Sequence, residues 1–351
     1  MEVNEESKSC LVVESLKGRH MSMLLSLKPN KDWAFLQLML IRNWIATIEK
    51  SFSNLIPPRS PYCYVALENK KPIALLTLKP VNLRGTCWVL SLPNILEIPI
   101  NYTEERIFRA LLQYALESDN IRARSWLIES PITNNVELTV AREFGFRPLK
   151  ISNCWSPPNY PQLISDKHKA SHLNYQYEWQ ELNSDNTNCV LRLSQLWESS
   201  HLRQITSRNS NDILESRHTL SKVLISQSNN NAIAALIFKY SSKNCILVEL
   251  VRDLAWDERL VSEISYILQI LREKTVGKKL YIQTAQEDEK LTELMSQIGC
   301  NHIYETIILG RSLWRRQENK KLSIGAKKLE SMLESLNPQT PPLPTPSVVQ
   351  R

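Results

Sequence analysis

The chain has 351 residues, of which 42% are hydrophobic, so it is long enough for two domains that each bury a core. No uninterrupted apolar run approaches the ~20 residues that span a bilayer. The acidic, polar start MEVNEESKSC lacks the basic and apolar regions of a secretion signal. We therefore expect a cytoplasmic protein without a membrane span.

The net charge of +7 is concentrated near the C-terminus. The segment from Arg311 to Arg351 carries eight basic and three acidic residues, a net +5, which leaves +2 for the rest of the chain. A dedicated nucleic-acid-binding protein usually has a broad basic surface. Nucleic acid is therefore not an expected partner.

The cysteines and histidines do not form a metal-binding pattern. Seven cysteines are widely spaced without a C-x-x-C pair, which argues against disulfides and structural zinc. His168 and His172 are four residues apart, but they lie in a polar, proline-flanked stretch without further ligands. We assign no metal ion.

Apolar patterns of period 3.6 and period 2 alternate along the first half of the chain. They predict a helix with Trp33, Leu36, Leu40, Trp44 and Ile48 on one face, and a second helix that begins at Thr103. The predicted order is a helix (32–50), three strands (62–69, 72–79 and 87–92), a helix (from 103), a strand (125–128), a helix (134–144) and a strand (146–155).

The second half repeats this order with recognisable anchors at a nearly constant offset. PIALLTLK at 72 matches AIAALIFK at 232, and CWVLSL at 87 matches CILVEL at 245. EERIF at 104 matches DERLV at 257, and the helix-ending glycine at 145 recurs at 299. We therefore expect two copies of one fold.

A proline-containing linker lies between the copies. The stretch 175–182, YQYEWQEL, fits either the last strand of copy one or the first strand of copy two. The predicted organisation is an N-terminal extension (1–18), domain 1 (19–155), a linker with a shared strand (156–185), domain 2 (186–316), an amphipathic helix (317–337) and a Pro-rich tail (338–351).

The element order resembles that of the GCN5-related N-acetyltransferases, the GNAT superfamily. The fragment REFGFRPL (142–149), at the end of the last helix, is the most specific part of the likeness. The resemblance implies an α/β protein with two tandem GNAT-like domains, each a mixed, splayed sheet flanked by helices. A C-terminal amphipathic helix and a Pro-rich tail follow them.

In this superfamily acetyl-CoA lies where the third long strand and the next one splay apart. The resemblance therefore implies that Leu90 and Leu92 contact acetyl-CoA. Its pyrophosphate would meet the N–H groups that open the following helix, where unsatisfied donors and the helix dipole favour anions. Arg106, Arg109 and Arg259 are the cations near these two helix starts.

The sequence departs from the superfamily pattern at both helix starts. The usual glycines are missing, and acidic pairs replace them at Glu104-Glu105 and Asp257-Glu258. These acids stabilise a helix start but oppose phosphate. The tyrosine that commonly protonates the leaving thiolate is also absent, because Ala141 and Met295 occupy the two corresponding positions.

Three other residues are candidates for catalysis. Glu249, an acid within the apolar strand CILVELVRD, is a candidate general base, and the alternative is a solvent-facing or ion-paired carboxylate. Tyr304 follows Gly299 by five residues and could act as an acid, although a tyrosine there also suits packing. Ser91 lies in the strand before the first helix start and offers a hydroxyl.

Two functions therefore remain open. The first is an N-acetyltransferase that uses acetyl-CoA and an amine-bearing substrate. The second is a non-catalytic tandem scaffold that binds a protein or small ligand, with the C-terminal helix and tail available to contact a partner.

Overall fold

The computed structural model describes residues 11–27, 33–51, 60–97, 101–118, 123–158, 177–228, 230–242 and 244–312. The predicted amphipathic helix 317–337, the Pro-rich tail 338–351 and most of the linker lie outside these residues. Over the described ranges, no helix combines the length and apolar character that crossing a bilayer requires.

The first half runs from β1 to β7 and contains the strands and helices that the sequence patterns predict. The apolar stripe of α3 is buried as expected, and every predicted strand is present. The elements are β1 (Leu11–Ser15), α1 (Arg19–Leu27), α2 (Trp33–Ser51), β2 (Tyr62–Glu68), β3 (Lys71–Pro80), β4 (Cys87–Leu90), β5 (Asn94–Ile95), α3 (Glu104–Glu117), β6 (Ser125–Pro131), α4 (Asn135–Glu143) and β7 (Arg147–Ser156).

The second half runs from β8 to β13 and repeats this order. Gly145 and Gly299 follow α4 and α9 with φ angles of +81° and +79°, a helix-ending conformation that favours glycine. The elements are β8 (Tyr177–Glu181), α5 (Thr187–Leu196), α6 (Ser200–Thr206), α7 (Ser210–Leu214), β9 (Lys222–Ser226), β10 (Ala232–Ser241), β11 (Cys245–Arg252), α8 (Leu260–Lys274), β12 (Lys279–Ala285), α9 (Glu289–Gln297) and β13 (Asn301–Ser312).

The two halves form one mixed sheet and exchange their last strands. Across the described residues the order is β1-β2-β3-β4-β6-β13-β7-β12-β11-β10-β9-β8, and β5 pairs with β3. Strand β13 of the second half lies beside β6 of the first, and β7 of the first half lies beside β12 of the second. Strands β7 and β13 pair antiparallel at the centre. The arrangement is therefore a pseudo-two-fold repeat about the β7–β13 pair.

The stretch that sequence alone left open is the first strand of the second half. Strand β8 pairs antiparallel with β9, as β1 pairs with β2 at the opposite edge of the sheet. The strands that the two halves exchange are β7 and β13 instead.

Helices cover both faces of the sheet. On one face, α1 and α2 pack on Cys63 and Val65 of β2, and α5 packs on Ala235 and Ile237 of β10. On the other face, α3 packs on β2 through Tyr64, whose ring meets Tyr114 edge-on. Helix α8 covers the corresponding face of the second half through its buried residues Leu260, Ile264, Ile267, Leu268 and Leu271.

Helix α2 does not pack through the face expected from its apolar stripe. The side chains of Trp44 and Ile48 are 66% and 40% exposed, and Asn43 is buried instead. The Asn43 amide donates to the carbonyl of Leu16 (2.6 Å) and accepts from the N–H of Cys63 (3.3 Å). Because buried backbone groups must be paired, these two bonds turn Asn43 toward the core and leave Trp44 and Ile48 of the apolar stripe exposed.

Candidate active site

The first half contains an opening between the parallel strands β4 and β6, which we call the first cleft. Their ladder ends at the pair Leu90 and Ile128. Beyond this pair Ser91 bonds to β3, donating its N–H to the Thr77 carbonyl (2.9 Å) and accepting at Oγ from the Thr77 N–H (3.0 Å) and hydroxyl (2.9 Å). Leu90 is buried and Leu92 is half-buried. Leu90, Ser91 and Leu92 therefore lie where the first cleft opens.

Helix α3 follows the first cleft in the chain, and its start carries acids as the sequence indicated. The Thr103 hydroxyl caps the helix by accepting the N–H of Arg106 (3.3 Å). Glu104 and Glu105 follow in the first turn, where the helix dipole favours their charge. One of the N–H donors that open the helix is therefore already used.

Both arginines near the start of α3 have partners within the protein. Arg109 pairs with Glu105 (2.6 Å) and with Glu143 of α4, and hydrogen bonds to Glu105 and then to Glu143 raise the pKa of Arg109. The Arg106 guanidinium lies 4.9 Å from the centre of the Tyr102 ring. An anion at this helix start would therefore compete with carboxylates for Arg109.

The second half has an equivalent opening between β11 and β12, which we call the second cleft, and an ion pair crosses it. The ladder of these parallel strands ends at Glu249 and Gln283. Beyond it, Arg252 of β11 donates to Asp288, which follows β12, through Nη2 (2.5 Å) and Nε (3.1 Å). The charged pair therefore joins the two strands where a ligand between them would have to enter.

The Arg252–Asp288 pair is buried and well supported. Arg252 is 3% exposed and Asp288 is 2% exposed. The guanidinium lies 5.2 Å from the Trp197 ring centre and 5.0 Å from that of Trp256. The Asp288 carboxylate also caps α9 by accepting the N–H of Leu291 (3.0 Å). These contacts hold the second cleft closed.

The first cleft has neutral residues at the matching positions. Asn94 stands as far after Cys87 as Arg252 stands after Cys245. Asn134 precedes α4 as Asp288 precedes α9, and its side chain makes no capping bond. No ion pair between these two positions can therefore close the first cleft.

The start of α8 is occupied by an internal carboxylate. The helix begins at Leu260, three residues later than the sequence match with α3 indicates. Asp257 accepts from Arg259 Nε (2.9 Å) and Nη2 (2.8 Å) and from the hydroxyl of Tyr177 (2.5 Å). Hydrogen bonds from Arg259 outweigh burial and lower the pKa of Asp257 to about 2. Arg259 therefore already binds an anionic group of the protein itself.

Glu249 lies in a buried charged cluster that joins the two halves. Its carboxylate contacts Lys150 Nζ of β7 (2.8 Å) and Lys239 Nζ of β10 (2.7 Å). Glu249 and Lys150 are almost fully buried, and Lys239 is 31% exposed. Burial alone would raise the pKa of Glu249, but the charges and hydrogen bonds of the two lysines hold it well below its usual value. Such a carboxylate is a weak base.

Tyr304 lies in β13 opposite Cys154 of β7. Burial raises the pKa of Tyr304. Strand β13, which belongs by sequence to the second half, is inserted beside β6, and its pairing with β6 begins at Thr306, two residues after Tyr304.

The three candidate catalytic residues do not meet at one point. Ser91 follows β4 and Glu249 lies in β11, five strand spacings or about 24 Å away along the sheet. Tyr304 lies between them. The sequence interpretation did not identify Arg252 and Asp288. Arg252 follows Glu249 in an apolar strand, which is a visible signal, but its partner is 36 residues away.

No protein-family model matches the sequence, and no curated protein matches it. The fold is similar to a GCN5-related glucosamine N-acetyltransferase region of a fungal multi-domain GH3 β-N-acetylglucosaminidase. This match has a TM-score of 0.52 and 14% identity, and it covers 87% of this chain and 38% of that one.

Two further solved structures have lower TM-scores. A GCN5-related N-acetyltransferase from Sphaerobacter thermophilus has a TM-score of 0.49 and 8% identity, and the match covers 86% of this chain and 96% of that chain. A tandem GNAT protein from the clavulanic acid biosynthesis pathway has a TM-score of 0.48 and 9% identity, and the match covers 87% of this chain and 99% of that chain.

The fungal match and the strand order together establish the fold. The chain has the fold of the GCN5-related N-acetyltransferases in two tandem copies, as the sequence resemblance implied. The resemblance implied a separate sheet in each copy, whereas the two copies share one sheet. Identities of this size show the fold and leave the activity to the site.

Proposed function

We propose that the protein is a GNAT-type N-acetyltransferase that uses its first half to bind acetyl-CoA and transfers the acetyl group to an amine. The observation that carries this proposal is the difference between the two clefts. The first opens at Ser91, and the neutral residues Asn94 and Asn134 take the sequence positions of Arg252 and Asp288, whose ion pair closes the second.

The residues of the first half fit acetyl-CoA in part. The backbone at Leu90 and Leu92 would lie along the thioester arm, and the helix donors of α3 with Arg106 and Arg109 would meet the pyrophosphate. Bound acetyl-CoA would supply the activated acyl group. Glu105 and Glu143 oppose the phosphates, so we expect weaker binding than glycine at the helix start would give.

The second half fits the cofactor poorly and has a structural role in this proposal. Asp257 holds Arg259, and the two lysines hold Glu249 as an ion. We therefore propose that Arg259 and Glu249 stabilise the fold, and that the second half completes the sheet of the first through β13. The protein would work in the cytoplasm, where acetyl-CoA is available.

A non-catalytic scaffold is the second candidate function. It is favoured by the carboxylates at both helix starts, Glu104 and Glu105 in one copy and Asp257 in the other. In that case the clefts would be vestigial, and the protein would act through a bound protein or small ligand, with the C-terminal segment as a contact.

A calorimetric titration of acetyl-CoA into the full chain separates the two candidates. Saturable binding at micromolar concentration supports the acetyltransferase, and no binding at millimolar concentration supports the scaffold. The double variant Glu104→Gly and Glu105→Gly should bind more tightly, because two opposing charges leave the helix start. The matched control Glu289→Gly, in the first turn of α9, should leave affinity unchanged.

If the Glu104 and Glu105 variant binds as the unmodified protein does, α3 is not the phosphate site. Equal gains in that variant and in the Glu289→Gly control would indicate a general charge effect and contradict the assignment.

A further inference from the structure

Helix α2 exposes five large apolar side chains on one side, and we call them the outer stripe. Single exposed apolar residues are common on proteins, but a contiguous group marks an interaction site. Their exposed fractions run from 39% for Ile45 to 66% for Trp44. Because residues three and four apart are neighbours on a helix surface, the five lie together. The outer stripe consists of Leu38, Ile41, Trp44, Ile45 and Ile48.

Polar bonds on the inner side of α2 keep the outer stripe exposed. The buried Asn43 amide bonds to the backbone at Leu16 and Cys63. Near the end of the helix, the Glu49 carboxylate accepts the N–H (2.9 Å) and the hydroxyl (3.0 Å) of Ser60. Turning the outer stripe inward would break these bonds and leave buried polar groups unpaired. Its exposure is therefore built into the fold.

Helix α5 covers the same face of the sheet in the second half and has the usual amphipathic arrangement. Its residues Val190 and Leu193 are buried, whereas Asn188 and Arg192 are exposed. A helix at the surface of a monomeric protein normally has this polar outer side. The fold therefore does not require an apolar outer side in this layer, and the outer stripe of α2 fits a surface that covers it.

The area of the outer stripe suits half of a small protein–protein interface. A large side chain buries roughly 150–250 Å², so the exposed fractions of the five residues correspond to about 500 Å² of apolar surface. Two such stripes against each other would bury about 1,000 Å², the lower limit for a specific interface. A second copy of the chain would therefore supply the area that one copy lacks.

The spacing of the outer stripe is self-complementary. Ile41 and Ile48 lie at equal distances from the midpoint between Trp44 and Ile45. A two-fold axis through this midpoint would set two α2 helices antiparallel, with Trp44 of each copy against Ile45 of the other and Ile41 against Ile48 of the other. None of these residues is charged, so no like charges meet across the axis, and a central tryptophan is a typical anchor of an interface.

We propose that the outer stripe of α2 binds the outer stripe of a second copy of this chain, so that the protein forms a two-fold dimer through antiparallel α2 helices. None of the five residues belongs to the first or the second cleft. The proposal is therefore independent of the proposed function.

Sedimentation velocity of the full chain at about 1–100 µM measures the dimer Kd, which we expect in the micromolar range because the interface is small. Trp44→Glu should raise this Kd at least a hundredfold, because it places a charge in both symmetric contacts. The matched control Val136→Glu changes an isolated apolar residue of α4 with 48% exposure, and it should leave the Kd within about twofold. The milder variant Ile41→Ser should raise the Kd about fivefold.

A mixing experiment tests the antiparallel arrangement. Ile45→Lys alone should also be monomeric, because it too places a charge in both contacts. In an equimolar mixture of Trp44→Glu and Ile45→Lys, the new carboxylate of one copy would face the new ammonium group of the other, and the second contact would keep its native residues. The mixture should therefore associate at least tenfold more tightly than either variant alone.

Four results would each overturn the proposal. The first is a full chain that stays monomeric at about 100 µM, whether the outer stripe is bare or covered by another segment of the chain. The second is an equal effect of Trp44→Glu and Val136→Glu. The third is a mixture that associates no better than its components. The fourth is a monomer that floats with phosphatidylcholine vesicles and loses this binding in Trp44→Glu, which would assign the outer stripe to a lipid surface.

Discussion

Removing one member of the buried Arg252–Asp288 pair should destabilise the fold much more than breaking an exposed pair. The variant Arg252→Gln leaves the Asp288 carboxylate, 2% exposed, without a counter-charge. Loss of one partner of a buried ion pair typically costs about 3–5 kcal/mol of unfolding free energy. The guanidinium contacts with Trp197 and Trp256 are lost as well. We therefore expect a loss near the upper part of this range.

A matched control removes an exposed pair of the same type. Arg259 is 48% exposed and pairs with Asp257, so Arg259→Gln should leave the unfolding free energy nearly unchanged. The double variant Arg252→Asn with Asp288→Asn removes both buried charges and reproduces the amides of the first half, and Asn can still cap α9. The double variant should therefore be more stable than Arg252→Gln.

Equilibrium urea unfolding at pH 7, followed by circular dichroism, measures these differences from the midpoints and slopes. The prediction is contradicted if the losses of unfolding free energy in Arg252→Gln and Arg259→Gln agree within about 1 kcal/mol. It is also contradicted if the double variant is less stable than Arg252→Gln, since the effects of removing the two buried charges would then add rather than be coupled.

Three further predictions concern the sheet centre. The pKa of Glu249 in the folded protein is held well below 4.5, so the stability that this carboxylate contributes is present above pH 4.5 and is lost as the pH falls below that value. A plot of the urea midpoint against pH should show this loss, and Glu249→Gln should flatten the plot. A Cβ at Gly310 meets Leu149, so Gly310→Ala should cost about 1–3 kcal/mol, whereas Gly18→Ala, in open space, should not; thermal unfolding compares them. Halves separated between β7 and β8 should be insoluble when expressed alone and soluble when co-expressed, because each lacks the other's last strand.

Local patterns were enough to predict the longer strands and helices of the first half and the repeat, but not β1, α1 or β5. Strand and helix periods, and the glycines 145 and 299, report short-range geometry that every copy of the fold requires. The acids at the two helix starts were also visible, although only the structure shows that Arg109 and Arg259 are already paired with carboxylates.

Long-range pairing was not predictable from the same patterns. The bond from Lys150 to Glu249 joins residues 99 positions apart and depends on the strand exchange. Helix α2 shows the same limit, because its rotation follows the two backbone bonds of Asn43 rather than its apolar stripe. In each case a polar group with a distant partner outweighed the local hydrophobic signal.

A crystal structure of the full chain grown with CoA shows which half binds the cofactor. We predict CoA between β4 and β6, with its thiol end at Ser91 and its pyrophosphate near Arg106, and an intact Arg252–Asp288 pair. CoA seated between β11 and β12 with that pair broken would contradict it.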